Sequence, residues 1–129
     1  MSIPVDLSQL EQVMGRYRFA YLLSSAERGA PHALAVTPVL DGGELVVAAT
    51  GRRTRENAAQ RPEVALVWPP LDASDYSLIV DGRATAAGEG LRIAPLRAVL
   101  HRPATPGQAA VAAGTAACGS DCVEIAAGS

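Results

Sequence analysis

The residues best suited to chemistry lie together between Gly51 and Val67, in the run GRRTRENAAQRPEVALV. Arg52, Arg53, Thr54 and Arg55 stand at the start of a short helical pattern that follows an apolar strand, and Arg61-Pro62 stops that pattern before a second apolar strand. The first turn of a helix leaves backbone N–H groups unpaired and carries the positive end of the helix dipole. An anion placed there gains charge-assisted hydrogen bonds. The arginines add fixed positive charge and Thr54 a hydroxyl, so this segment can hold a phosphate without a glycine-rich loop. The opposing reading is a solvated connector whose charge Glu56 and Glu63 partly offset. The chain contains no lysine, which excludes Schiff-base chemistry, a lysine-dependent phosphate loop and a lysine general base.

Other reactive side chains are scattered. His32 and His101 are the two histidines, one near a turn and one at the end of a strand, and neither has partners at metal-ligand spacing. Ser24-Ser25 has no base at a diagnostic distance, so no hydrolase triad is expected. Cys118 and Cys122 are read as two reduced thiols. Trp68, Tyr17, Tyr21 and Tyr76 are suited to stacking on a planar ligand, although packing explains aromatic residues more often.

The elements that must position these residues read as mainly β. With 129 residues, 49% of them hydrophobic, and a net charge of −2, the chain is expected to be one globular domain, with nothing that favours nucleic acid or an anionic membrane. Met1 to Asp6 lacks the basic flank and apolar core of a signal peptide, and no apolar run approaches a membrane span, so a cytoplasmic location is expected. Leu7 to Met14 has the spacing of a short amphipathic helix capped by Asp6. Strands are expected at Phe19–Ser24, Ala33–Leu40, Glu44–Thr50, Val64–Trp68, Ser77–Ala87 and Leu91–His101, with a hairpin signal at Asp41-Gly42-Gly43. The helix is expected at about Thr54 to Gln60. The domain core should run from about residue 7 to 103, followed by a flexible Ala/Gly-rich segment over 104–121 and a short last strand over 122–126. Six strands joined mostly by tight turns suggest a closed antiparallel barrel, because closure removes exposed edges.

The ordered landmarks Gly29-x-Pro31-His32, Pro38-Val39, Asp41-Gly42, Leu45, Thr50, Arg52-x-Thr54, Asn57, Pro62-x-Val64-x-Leu66 and Gly82-x-Ala84 resemble those of the pyridoxamine 5′-phosphate oxidase-like superfamily, whose members are FMN-binding split barrels. The resemblance covers about Leu7 to Pro103. It implies a six-stranded antiparallel split β-barrel with short helices, a homodimer, and an FMN or deazaflavin in each groove between subunits. Carried across, the family's phosphate-gripping serine and lysine fall on Arg52 and Thr54, with Arg53 between them. Its helix asparagine matches Asn57. The strand segment beside the flavin ring matches Ala35, Val36, Thr37 and Pro38, with Thr50 at the end of the neighbouring strand, and Trp68 closes a strand near the subunit interface.

Two departures bear on function. Thr54 stands where many relatives have lysine, and the arginine beside the flavin phosphate has no counterpart in Ala33 to Leu40. Oxidation of pyridoxamine phosphate itself is therefore not expected. The resemblance implies a flavin-dependent oxidoreductase acting on a small molecule; the alternative is a dimeric module that carries flavin or haem without turnover.

Overall fold

The computed structural model describes residues 1–103. The Ala/Gly-rich segment, the last strand expected over 122–126, Cys118 and Cys122 lie outside the described residues.

The chain starts with β1 (Ser2–Val5), a 3-10 turn (Leu7–Gln9) and α1 (Leu10–Met14). It continues through β2 (Ala20–Ser24), β3 (His32–Val36), β4 (Val39–Asp41) and β5 (Glu44–Val47), then α2 (Arg52–Gln60), β6 (Glu63–Trp68), β7 (Ser77–Ala87) and β8 (Gly90–His101). All strand pairings are antiparallel. The sheet order is β3-β2-β6-β7-β8-β5-β4, with β1 added to β8.

Three expectations need correction. The described residues form eight strands rather than six. The stretch expected as one strand from Ala33 to Leu40 is two, because Pro38 has no N–H to give a ladder and holds Thr37 extended, so the chain turns a corner there. Its two pieces, β3 and β4, end up on opposite edges of the hydrogen-bonded sheet with no pairing between them. The sheet is therefore a curled half-barrel of split type and not a closed barrel. The third is β1, which sequence reasoning missed because Pro4 argues against a strand; Pro is tolerated there because β1 pairs on one side only, with β8. The first turn of the helix expected over Leu7 to Met14 is 3-10, capped by the Asp6 carboxylate, which accepts from the Ser8 N–H at 3.0 Å.

β8 is shared between two neighbours on one side. Leu91 to Ile93 pair with β5 and Ala98 to His101 with β1. Between them Pro95 leaves no N–H to satisfy, and the register with β7 shifts so that Gly82 faces Pro95 and Asp81 faces Arg97, leaving Leu96 as the extra residue of a bulge. Gly82 is required at this kink: a Cβ there would lie 2.5 Å from the Ile93 side chain and 2.9 Å from the Ala94 carbonyl oxygen.

Cross-strand partners share a face, so the registers separate core from exterior. The row Leu34, Leu22, Leu66, Val80, Ala98 and Val5 runs across the inside of the sheet, with Trp68, Leu78 and Leu100 in the next inner row. Leu22, Leu66, Leu78 and Val80 are fully buried, as are Leu45, Leu91 and Ile93 from the other half of the sheet. Trp68, expected near a subunit interface, belongs to this core and is 2% exposed. On the outside, the row Ala35, Tyr21, Val67, Ile79, Val99 and Pro4 is also wholly apolar.

Candidate functional site

α2 begins where three parts of the fold meet. Gly51, the residue before its first turn, is extended and provides no side-chain cap, so the N–H groups of Arg52, Arg53 and Thr54 have no hydrogen-bond partner among the described residues. The Arg55 N–H is the first to close onto the helix, reaching the Gly51 carbonyl at 3.3 Å. Thr54 and Ala58, one turn apart, face the core and are buried, while Arg52, Arg53 and Glu56 are exposed. Arg52 Nε lies 3.6 Å from Glu56 Oε2 with both side chains largely in solvent, a contact of little strength. Arg53 makes no ion pair among the described residues. The start of α2 thus combines unpaired amides, the positive end of the helix dipole and two solvent-facing guanidinium groups.

The remaining polar residues of the segment face inward. Arg55 Nη1 donates to the Thr50 carbonyl at 2.5 Å and the Glu89 carbonyl at 2.8 Å, so it does not stand beside Arg52 and Arg53 as a free charge. Asn57 Nδ2 donates to Ser24 Oγ at 3.2 Å and ties α2 to the end of β2. Thr50 and Thr54 are both buried, and the hydroxyl of each lacks a hydrogen-bond partner. Thr54 therefore contributes to the helix start through its backbone N–H, with its hydroxyl turned into the interior.

Thr50, Arg52, Arg53, Thr54 and Asn57 share one end of the half-barrel. The Ala35 to Pro38 segment belongs to the other end of β3. Ser24, which accepts from Asn57, pairs with His32, and Val36 pairs with Ala20. The four steps from His32 to Val36 separate these ends by about 13 Å of extended strand. Ala35 and Thr37 are exposed, while Val36 and Pro38 point into the core and offer only their backbone. The arrangement suits an elongated ligand with an anionic end at α2. Sequence reasoning did not foresee the inward turn of Arg55 or the roles of Ser24 and Glu89. Gly88-Glu89-Gly90 reads as a hairpin turn, and nothing in it signals a docking point for a loop 40 residues earlier.

Away from α2, a concavity of about 220 Å³ lies under the β6–β7 connection and is lined by Arg16, Tyr17, Pro70, Leu71, Asp75, Tyr76 and Leu100. The Tyr17 hydroxyl donates to the Tyr76 carbonyl at 2.9 Å, and burial, followed by the nearby Asp75 carboxylate, pushes the Tyr17 phenol upward in pKa. His101 Nδ1 lies 3.2 Å from Ser2 Oγ, and His32 sits in the β2–β3 ladder. Among the described residues no group of three or more His, Cys, Asp or Glu is placed to hold a metal ion, and no helix is long and apolar enough to cross a membrane.

No family model matches the chain. The uncharacterized protein Mb0449c of Mycobacterium bovis is 44% identical over 135 residues, covering 92% of this chain and 93% of that protein, and the uncharacterized protein MT0457 of Mycobacterium tuberculosis matches to the same extent. The chain belongs to the family of these two mycobacterial proteins. Solved structures extend the likeness in fold to more distant proteins. A candidate pyridoxamine 5′-phosphate oxidase of Listeria innocua is 16% identical, with a TM-score of 0.60 over 73% of this chain and 96% of that one. An FAD-binding protein of Mesorhizobium loti is 12% identical, with a TM-score of 0.61 over 78% and 96%. An F420 reductase is 17% identical, with a TM-score of 0.56 over 68% and 94%. The mycobacterial family thus has the split-barrel fold found in flavin-binding proteins.

Proposed function

We propose that this protein binds FMN, or alternatively a deazaflavin, with the phosphate at the start of α2 and the ring along the end of β3, and that it is a flavin-dependent oxidoreductase for a small molecule. The observation that carries this reading is the uncapped start of α2 with the Arg52 and Arg53 side chains exposed to solvent. It is supported by a fold shared with proteins named for FAD binding and for F420 reduction.

The residues present fit such a group. Arg52 and Arg53 can each give a planar pair of N–H donors to a phosphate, replacing the lysine that Thr54 displaces. The amides of Arg52, Arg53 and Thr54 would meet the same oxygens. Asn57, held by Ser24, keeps α2 against β2, and the buried Thr50 ends the loop that leads into the helix. Along β3 the exposed Ala35 and Thr37 leave the strand surface low enough for a flat ring, with the backbone of Val36 and Pro38 behind it. When bound, the flavin supplies hydride chemistry at its N5. The chain's part is to bind, orient and exclude water.

A homodimer is part of the proposal, with the cofactor groove between subunits. β2 is apolar on both faces up to Ser24 and β6 after Glu63, and an apolar row continues outside them through Ile79 of β7, whereas an antiparallel sheet that meets water on one side normally alternates apolar with polar residues. The outer apolar row supports a second copy covering it. A flavin carrier without turnover is the second reading, and the burial of Thr54 where relatives have lysine favours it.

Titration of the purified protein with FMN, and with a deazaflavin, is expected to quench ligand fluorescence at one site per chain. In Arg52→Ala combined with Arg53→Ala, each lost charge-assisted contact should cost about 1.5–3 kcal/mol. Unchanged affinity in that double variant removes the phosphate site. Reduction of the bound flavin by NAD(P)H or a reduced deazaflavin, followed by reoxidation by an acceptor, distinguishes an enzyme from a carrier.

A further inference from the structure

Arg55 has the residue type and position of a phosphate ligand, but its hydrogen bonds go elsewhere. One nitrogen, Nη1, donates to two backbone carbonyls from segments far apart in the chain, those of Thr50 and Glu89. The Glu89 carbonyl also accepts the Thr50 N–H at 2.9 Å. The loop between β5 and α2 is therefore fastened to the β7–β8 hairpin at both the N–H and the carbonyl of Thr50.

The contact at this junction is close. A Cβ on Gly90 would fall 1.8 Å from the Val47 carbonyl oxygen and 2.7 Å from the Ala48 carbonyl, so the end of β5 lies directly against the hairpin backbone. Among the described residues no other side chain fastens the loop: the Thr50 and Thr54 hydroxyls are buried without partners, Gly51 has no side chain, and the Thr50 carbonyl has no donor other than Arg55. A backbone carbonyl buried without a donor is costly, and the peptide that carries it would rotate to find one. That peptide joins Thr50 to Gly51, and its plane sets the direction in which the first amides of α2 point.

We infer that Arg55 is a positioning residue of the anion site: it locks the Thr50–Gly51 peptide onto the β7–β8 hairpin and so aims the free amides of α2, while Arg52 and Arg53 alone supply side-chain contacts. The inference rests on the start of α2 being that site. It divides the three arginines of one short run into two ligands and one strut.

Hydrogen exchange and flavin binding test it on the full chain. In flavin-free Arg55→Met the Thr50 amide, which donates to Glu89, should exchange at least tenfold faster, with the amides of β6 and β7 unchanged. FMN affinity should fall about tenfold and riboflavin affinity by less than twofold, because riboflavin lacks the phosphate that the amides receive. Arg55→Lys, which keeps one donor within reach, should recover part of both effects. The salt dependence of FMN binding should stay as in the unmodified protein, since no contacting charge is removed. An unchanged Thr50 exchange rate, equal losses for FMN and riboflavin, a weaker salt dependence, or acceleration across β6 and β7 in both variants would each overturn the inference. If the unmodified protein itself binds FMN no better than riboflavin, the anion-site reading fails, and the exchange rate of Thr50 still decides whether Arg55 is the strut.

Discussion

The outside of the half-barrel has two unlike regions. Around β4, β5 and the first half of β8 it is polar: Arg92 stands between Asp41 and Glu44, with Nε 2.8 Å from Glu44 Oε1 and Nη2 3.5 Å from Asp41 Oδ2, and Val46 and Thr85 flank it in the ladder. The hydrogen bond to Glu44, before the charges of Glu44 and Asp41, holds the Arg92 guanidinium above its ordinary pKa. Across β3, β2 and β6 the outside is largely apolar, and one apolar row continues over β7, β8 and β1 between the polar pairs Ser77–His101 and Asp81–Arg97. Ala35, Tyr21, Val67, Ile79, Val99 and Pro4 form one row and Ala33, Leu23 and Ala65 the next, with Asp81–Arg97 at the margin, 3.3 Å apart. The same sheet, with the same core behind it, thus presents one surface that suits water and one that suits a partner. The difference comes from the strand sequences, since β6 (EVALVW) is apolar at every position after Glu63, whereas β5 and the start of β8 place Glu44 and Arg92 on the outside.

The largest expected effect tests that contrast directly. Val67→Glu should shift the proposed dimer to monomer in sedimentation velocity, because an unpaired carboxylate in a desolvated interface costs at least about 3 kcal/mol, roughly a hundredfold in dissociation constant. Thr85→Glu on the polar region should leave the association unchanged. If both variants sediment alike, the two regions are equivalent and the proposed dimer face is lost.

A smaller effect separates the ion pairs. In double-mutant cycles, Asp81–Arg97, at the margin of the apolar region, should couple by about 1.5 kcal/mol, since partial desolvation at an interface strengthens a charge pair. Arg92–Glu44, half-exposed and outside the proposed interface, gains no further desolvation on association and should couple more weakly and fade with salt. Reversal of that order would place the buried surface on the β4–β5 side.

The smallest effect belongs to the rim. The Asp72 carboxylate accepts from the Ser74 N–H at 2.9 Å and hydroxyl at 2.8 Å, and the backbone bond, followed by the hydroxyl, lowers its pKa in the folded state. With the folded pKa below the unfolded one, the unfolded chain binds more protons in acid, so this contribution is complete above about pH 4 and is lost as pH falls through the folded value. Asp72→Ala should reduce the loss of thermal stability between neutral and acid pH slightly, with the oligomeric state unaffected. An acid dependence identical to that of the unmodified protein would show that the turn carries no such linkage.

Much of the architecture was legible from local pattern. Ser77–Ala87 was read to its boundaries, and β2, β5, β6 and β8 were located to within a few residues, because their apolar runs are bounded by Gly, Pro or charged residues. The Asp41-Gly42-Gly43 hairpin was also evident, since Gly42 and Gly43 both adopt positive φ. The break at Thr37-Pro38 was missed. Pro38 lies in a largely apolar run and looks like a strand interior, while its effect, sending β3 and β4 to opposite edges, depends on which strands are already paired. β1 escaped notice for a related reason, as Pro4 counts against a strand until an edge position is known to be available.

For the candidate site, residue types alone located the helix to within two residues of its start, together with its arginines, while Asn57 was singled out by the family resemblance without its link to Ser24. They could not say that Arg55 turns inward, that Thr54 loses its hydroxyl to the interior or that Glu89 closes the junction. Those outcomes depend on contacts between segments tens of residues apart, which no local pattern encodes. The sequence by itself determined the mainly-β character, the positive start of α2 and the two-faced apolar strands, all properties of spacing and charge within a single element. The tertiary structure alone decided which arginines of α2 face solvent, where the sheet stays open and which apolar row lies on the outside, because each depends on what another part of the chain already occupies.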